Sequence, residues 1–393
     1  MRADTYERAE RRLAELAARG SDAVTFFREA QEVLLGAVPS VPLVFWNTLD
    51  PFSLLLTGGY DHEGREKPHE VLMWEYLVDD VMKTLDAVRS TRGVLTLEEA
   101  SGGDPTSTTL HRTFLEPSGL EHCVEATFRA RSGHTWGSVT LFRERGAPGF
   151  GRHELDLLEA LAPELARGVQ RGLLIGEATD PEWSDSPGLV VFDARWTPIT
   201  LTSAAERWIT EIAPGWTPDR EPPAPVLAVA ANAMGAETQT RVAERHGDAT
   251  IARVRAPSGG WFSLHGVVMV VDGCRRAAAI IEPAHPARIV PLLMAAYELT
   301  AREQQVTSLV LRGASTRAIA TTLRISVHTV QEHLKHVFDK VDVRSRRDLV
   351  GRVFFAHYEP RVRDNERRVA VSSPHRGGPF PSAAATPTET AGV

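Results

Sequence analysis

The sequence predicts a multidomain protein: two α+β domains in tandem, then an all-α domain of four short helices, then an unstructured tail. Three observations predict this. Apolar residues alternate, in runs bounded by turn residues, between long helical patterns over the first 284 positions. From Leu299 the period becomes helical throughout, with a capping signal at each start. From Pro360 onward periodic apolar positions cease. At 393 residues there is ample length for separate cores.

The first domain is assigned to residues 1–176. Asp4 to Arg19 reads as an Ala-, Glu- and Arg-rich helix, and Ser21 as the cap of a second that places Val24, Phe27, Ala30, Val33 and Leu34 on one side. Strands follow at Val41–Leu49 and Ser53–Gly59 around the turn Asp50-Pro51. A helix spans Glu70 to Thr84, so that Asp79 and Asp80 fall on it. After a polar stretch around Ser101 to Thr109 come strands at His122–Ala130 and Thr135–Arg143 and a helix at Glu154–Leu174, in which Pro163 predicts a kink.

Glu177 to Gly188, rich in Pro, Asp and Ser, reads as a linker. The second domain, residues 187–284, opens with a strand at Leu189–Asp193 and a helix at Ser203–Ile209. A helix at Val226–Gly235 and strands at Ala249–Ala256, Trp261–Val271 and Arg276–Glu282 complete it. Residues 285–298, with Ile289, Val290, Leu292, Leu293, Met294 and Tyr297, form a helix coupling this block to the next. Residues 299–358 are the four-helix domain and 359–393 the disordered tail, in which Arg361, Arg363, Arg367 and Arg368 offer weak attraction for phosphate.

The four-helix segment carries the functional signal. Thr300 and Glu303 make a capping box, and Val306, Leu309 and Val310 line that helix. Gly313 ends it. Ser315 opens a short helix with Ile319, Ala320 and Leu323 inward, and Ser326 opens a longer one after a tight turn. Val330, Leu334, Val337 and Val341 recur as one buried stripe of that longer helix, opposite His328, Gln331, Glu332, Lys335 and Asp339. A helix with such a polar face suits the major groove of duplex DNA. Ser345 and Asp348 cap a fourth helix bearing Leu349, Val350 and Val353.

Residues 299–357 hold ten basic and five acidic side chains, a net of +5, which leaves −12 for the rest of a chain whose formal net charge is −7. Positive charge gathered in one small domain marks the docking site of an anionic polymer. A bare helical bundle with a solvated face is the competing reading, and the agreement of caps, turn and charge disfavours it.

This segment resembles the LuxR-type (GerE-like) helix-turn-helix of bacterial transcription regulators. The resemblance rests on Leu299-Thr300-x-Arg302-Glu303, Ile319-Ala320, Leu323, Ser326, Thr329-Val330, His333-Leu334, Lys340-Val341, Val343 and Arg346. It implies base reading by Gln331, Glu332 and Lys335, phosphate positioning by Thr316, Arg317, Thr329, His336, Lys340 and Arg344, and dimerisation through Leu349, Val350 and Val353. Three positions depart from the family: Ala318 stands where a carboxylate usually follows the second cap, Gln331 where a basic residue is usual, and Asp342 near a usual glycine. Glutamine at 331 suits adenine N6 and N7, whereas lysine would suit guanine or phosphate.

The first domain resembles a GAF domain, in Trp136-Gly137-Ser138-Val139 followed by Phe150 and Glu154-x-x-x-Leu158. The second resembles a PAS-like sensor domain, with Ser258-Gly259-Gly260-Trp261 as its hairpin turn. Phe45, Trp46, Trp74, Phe128 and Trp136 line either a ligand pocket or a filled core. His122-Cys123 and His265 read as structural rather than as haem or metal ligands.

Enzymatic classes lack their motifs: there is no GxxxxGK[ST], HExxH or GxSxG. No catalytic residue, cofactor or metal is expected. Two distant cysteines, no apolar signal core and no long apolar run point to a cytoplasmic protein without membrane contact. The expected partners are double-stranded DNA and a second copy of the chain, with RNA polymerase and a small-molecule effector left open. Two alternatives remain: a polymerase-contacting module like sigma-factor region four, and a ligand-binding protein whose reader, bearing Glu332 and Asp339, has weak DNA affinity.

Overall fold

A computed structural model describes residues 2–61, 69–174, 186–238, 251–284 and 286–355. The predicted linker at Glu177–Gly188, save its last three residues, and the tail at 359–393 lie outside the described residues.

The first unit begins with α1 (Arg2–Arg19) and α2 (Ala23–Ala37), which pack on α6 (Arg152–Leu174). Asp22, rather than Ser21, caps α2 by accepting the Thr25 amide at 3.0 Å. Between these helices run β1 (Leu43–Leu49), β2 (Leu56–Asp61), α3 (His69–Leu77), α4 (Thr84–Arg89), β3 (Val94–Thr96), α5 (Leu97–Ala100), two irregular helical turns, β4 (Leu120–Arg129) and β5 (Thr135–Glu144). The five strands form one antiparallel sheet in the order β2-β1-β5-β4-β3. β3, which three residues are too short to announce, is its edge. α6 runs unbroken through Pro163. Gly168 is required there because a Cβ would stand 2.0 Å from the Phe26 ring, so α2 and α6 approach closely only with glycine at that turn.

The predicted helix from Glu70 to Thr84 ends instead at Leu77, and Asp79 and Asp80 lie beyond it. The Asp80 carboxylate accepts from Trp74 Nε1 (3.1 Å) and from the amides of Val81 (2.9 Å) and Leu110 (2.7 Å), holding the chain in a turn where a helix would leave those donors unmet.

The second unit comprises β6 (Gly188–Phe192), β7 (Pro198–Leu201), α7 (Ser203–Ile212), α8 (Ala224–Thr238), β8 (Ile251–Arg255), β9 (Trp261–Val271) and β10 (Cys274–Pro283). Its sheet order, β7-β6-β10-β9-β8, repeats that of the first: second strand, first, fifth, fourth, third. β7 was invisible to alternation because its Ile199 is half exposed and its partner strand makes the only apolar run. α8 lies so near β9 that a Cβ on Gly266 would stand 1.8 Å from the Val229 carbonyl oxygen.

The two units share their cores. Leu49, Leu55, Leu56, Leu72, Met73 and Tyr76 of the first pack in one buried cluster with Val226 to Ala231 of α8, Trp208 and Phe262 of the second. Asp50, fully buried, takes a forked ion pair from Arg253 across the seam, with Nε at 2.7 Å from Oδ2 and Nη2 at 2.7 Å from Oδ1.

α9 (Pro286–Ala296) returns along this block. Ile289, Leu292 and Leu293 are buried with α1, α2 and α6, while Met294 belongs to the core of the last four helices. The predicted coupling helix is thus wedged into both neighbours. α10 (Ala301–Leu311), α11 (Thr316–Leu323), α12 (Val327–Val341) and α13 (Arg346–Val350) then close the described chain, with an irregular turn over Gly351–Phe355.

Candidate nucleic-acid interface

Each helix of the C-terminal domain starts where its cap puts it. Thr300 Oγ1 accepts the Glu303 amide (3.3 Å) while Glu303 Oε2 accepts the Thr300 amide (2.8 Å). Ser315, Ser326 and Ser345 accept the amides of Ala318, Thr329 and Asp348. The turn between α11 and α12 closes at Arg324 in a left-handed conformation, φ 53°, and α12 closes likewise at Asp342, φ 56°.

α12 buries Val330, Leu334, Val337 and Val341 against Val306, Val310 and Ile319. His328, Gln331, Glu332, Lys335 and Asp339 are exposed. At about 100° per residue these five fall within an arc of about 100° opposite the buried stripe. A helix presenting one such arc matches the width of the major groove, about 12 Å. Gln331, Glu332 and Lys335 therefore share one exposed face, and none of the three is held by a described hydrogen bond or ion pair that would keep it from a ligand.

The six residues expected to position phosphate divide. Arg317 and Arg344 are exposed, and His336 is exposed with its Nδ1 4.0 Å from Glu303 Oε1. Thr316 and Thr329 are half-buried: Thr316 Oγ1 accepts from Arg346 Nη2 at 3.1 Å, and Thr329 Oγ1 hydrogen-bonds Ser326 Oγ at 2.8 Å. Lys340 is exposed, but its ammonium is engaged within the domain. Its ammonium donates to Glu303 Oε2 (2.7 Å) and to the Glu298 carbonyl (2.9 Å), tying the end of α12 to the start of α10. Burial pushes the Glu303 carboxyl up, but the hydrogen bonds from Lys340 and Thr300 outweigh it and hold the group below its usual range.

Two cations that the sequence reading gave no functional role brace this frame. Arg302 Nη2 donates to the Leu323 carbonyl at 2.8 Å, and Arg346 Nη1 to the Ala314 carbonyl at 3.1 Å. Arg324, exposed in the turn that precedes α12, is a further cation on this side that spacing alone did not single out.

The residues expected to carry dimerisation lie in the domain's own core. Leu349 and Val353 are 0% exposed and fill the domain's own core, and Val350 is half-buried against it. With five residues, α13 is too short to serve its own core and a partner with the same side chains.

The aromatic set also separates, because neighbouring strand residues face opposite ways. Trp46, Phe128 and Trp136 fill the core under α2 and α6, with Trp46 stacked on Phe27 at 4.8 Å. Phe45 and Trp74 lie on the other side of the sheet, at a small cavity. Of the five aromatics read as lining either a pocket or a core, three fill the core and two line this cavity. His122 bonds Glu98 Oε1 at 2.5 Å and the Ala147 carbonyl at 3.1 Å, a structural setting. Among the described residues no cluster of three His, Cys, Asp or Glu is placed to hold a metal, and no helix is long and apolar enough to cross a membrane.

Residues 297–353 match the family described as bacterial regulatory proteins, luxR family, so this domain is a LuxR-type helix-turn-helix. A monoamine regulon transcriptional regulator of Klebsiella aerogenes is 43% identical over 56 residues, 14% of this chain and 25% of that protein. A putative HTH-type transcriptional regulator of Aeromonas salmonicida is 47% identical over 59 residues, 15% of this chain and 30% of that protein. The chain thus spans between a quarter and a third of these curated relatives, and the likeness is confined to a short segment. Among solved structures, a Vibrio cholera VqmA–ligand–DNA complex aligns with 42% of this chain and 80% of its own at 17% identity and a TM-score of 0.20, too slight a likeness to bear on the fold.

Proposed function

We propose that this protein is a sequence-specific DNA-binding transcription regulator, cytoplasmic and dimeric on its operator, in which α12 enters the major groove. The observation that carries the reading is the exposed arc of Gln331, Glu332 and Lys335 on a helix whose opposite side is locked into a LuxR-type frame. Gln331 addresses adenine N6 and N7, Lys335 guanine O6 and N7, and Glu332 accepts from cytosine N4. Arg317, His336 and Arg344 hold phosphates, since Lys340, though exposed, commits its ammonium to Glu303 and the Glu298 carbonyl, and Thr316 and Thr329 are half-buried.

The two N-terminal units act as the sensing or dimerising part. Their repeated sheet order supports reading them as a related pair of GAF-like and PAS-like modules. Because Leu349 and Val353 are spent within the chain, the contact between copies falls to a surface other than theirs.

The test is selection of bound sites from a random duplex pool by the full-length chain, followed by titration of the winner. Lys335→Ala is expected to weaken specific binding by about 1–3 kcal/mol and to relax discrimination at one base pair. Unchanged affinity and base preference, or binding to promoter DNA that requires polymerase, would overturn the assignment.

A further inference from the structure

On the α3-facing side of the first sheet, Phe45, Phe114 and Phe142 meet edge to face, with Phe45–Phe142 and Phe114–Phe142 centroids 5.3 and 5.6 Å apart. With Trp74 they wall a cavity of about 30 Å³, room for a few heavy atoms. A cavity walled only by aromatics would be a packing defect. This one also has a polar lining: Asn47 from β1, Glu125 from β4, Thr140 from β5 and Glu75 from α3. Asn47 and Glu125 are 1% and 5% exposed.

The lining groups accept rather than donate. Asn47 gives its amide N–H to Ser138 Oγ at 2.9 Å, and its Oδ1 meets no hydrogen-bond donor among the described residues. Thr140 directs its only hydroxyl hydrogen to Glu125 Oε2 at 3.2 Å, which leaves it lone pairs alone for an occupant. Glu75 is a carboxyl acceptor already engaged by the amide of Thr84, another lining residue, at 3.1 Å. A buried acceptor without a donor costs about 1–3 kcal/mol, so a donor-bearing occupant is favoured over none.

Charge points the same way. Among the described residues on or beside α3, α4 and β4, the buried carboxyls are those of Glu75, Asp80 and Glu125, and the buried ammonium is that of Lys83. That ammonium sits 3.4 Å from the Trp74 ring centroid, so this aromatic wall already accommodates a cation. Hard metal cations fit poorly, since they ask for six or more oxygens and most of the lining is aliphatic or aromatic carbon.

We propose that this cavity binds a small organic cation, a primary ammonium or amidinium on a short carbon skeleton. Its N–H groups engage Asn47 Oδ1 and the Glu125 carboxyl, and its carbons lie against Phe45, Phe114 and Phe142. The proposal rests on the reading of the N-terminal unit as a sensor and gives that sensor a ligand class.

The full-length protein is titrated calorimetrically with ethylammonium chloride, and in parallel with ethanol as the neutral isostere and with potassium chloride at matched ionic strength. Saturable binding of ethylammonium alone is expected, weakened at least tenfold by Asn47→Ser and by Glu125→Gln. Circular dichroism and DNA affinity of each variant are measured alongside; if Glu125→Gln unfolds, Asn47→Ser carries the comparison. No saturable heat, equal binding of ethanol or potassium, or undiminished affinity in the folded variants overturns the proposal. Intact DNA binding in those preparations would leave the regulator reading standing, so the two fail separately.

Discussion

Lys340 decides between two descriptions of the reader, and Lys340→Met separates them. The ammonium bonds Glu303 Oε2 at 2.7 Å and the Glu298 carbonyl at 2.9 Å, and the side chain is 35% exposed against 6% for Glu303. A charge-assisted hydrogen bond contributes about 1.5–3 kcal/mol when sheltered, and solvent at the lysine end screens part of it. Methionine keeps the stem's packing and removes the charge, so a loss of about 1.5–2 kcal/mol is expected at neutral pH. Amide exchange across α10 and α12 in the full-length chain should then quicken by about 10- to 30-fold.

The loss should fade with acid. Glu303 is held below its usual range, so its contribution is present above the unfolded value of about 4.5 and disappears as pH falls through the lower folded value. In the same variant the slope of log affinity for DNA against log salt should stay as in the parent, because an ammonium engaged within the domain neutralises no phosphate. A slope shallower by about 0.9, with amide exchange unchanged, would make Lys340 a phosphate contact and refute the reasoning.

Other outcomes follow from single contacts. Asp342→Gly, at φ 56°, should raise the reader's stability by about 0.5–1 kcal/mol in urea titrations, by removing a side chain from a left-handed cap. Arg253→Met should cost about 3–5 kcal/mol and loosen both N-terminal units together, as read by limited proteolysis, because it strands the buried Asp50 carboxylate on the seam. Leu349→Ala should lower the reader's stability by about 2–5 kcal/mol in denaturant melts at any protein concentration; a loss seen only on dilution would restore Leu349 to a dimer contact.

Local signals served where the physics is local. The capping serines, the Thr300–Glu303 box and the valine stripe of α12 act within a few residues of one another, so spacing alone placed them. Acidic and basic residues near one another in space but not in sequence were beyond it. Glu303 and Lys340 are 37 positions apart, and nothing in either neighbourhood marks the lysine as that carboxylate's partner. The aromatic set stayed open for another reason: period two says that Phe45 and Trp46 face opposite sides, but not which side is filled.

The sequence by itself determined where the helices of the last domain begin, that this domain carries an excess of positive charge, and which face of α12 is polar. The tertiary structure alone decided that the two sheets share a core through α8 and the Asp50–Arg253 pair, that α13 spends Leu349 and Val353 inside its own domain, and that one side of the first sheet keeps a cavity. Periodicity reports which side of an element avoids water; only packing says what meets it there.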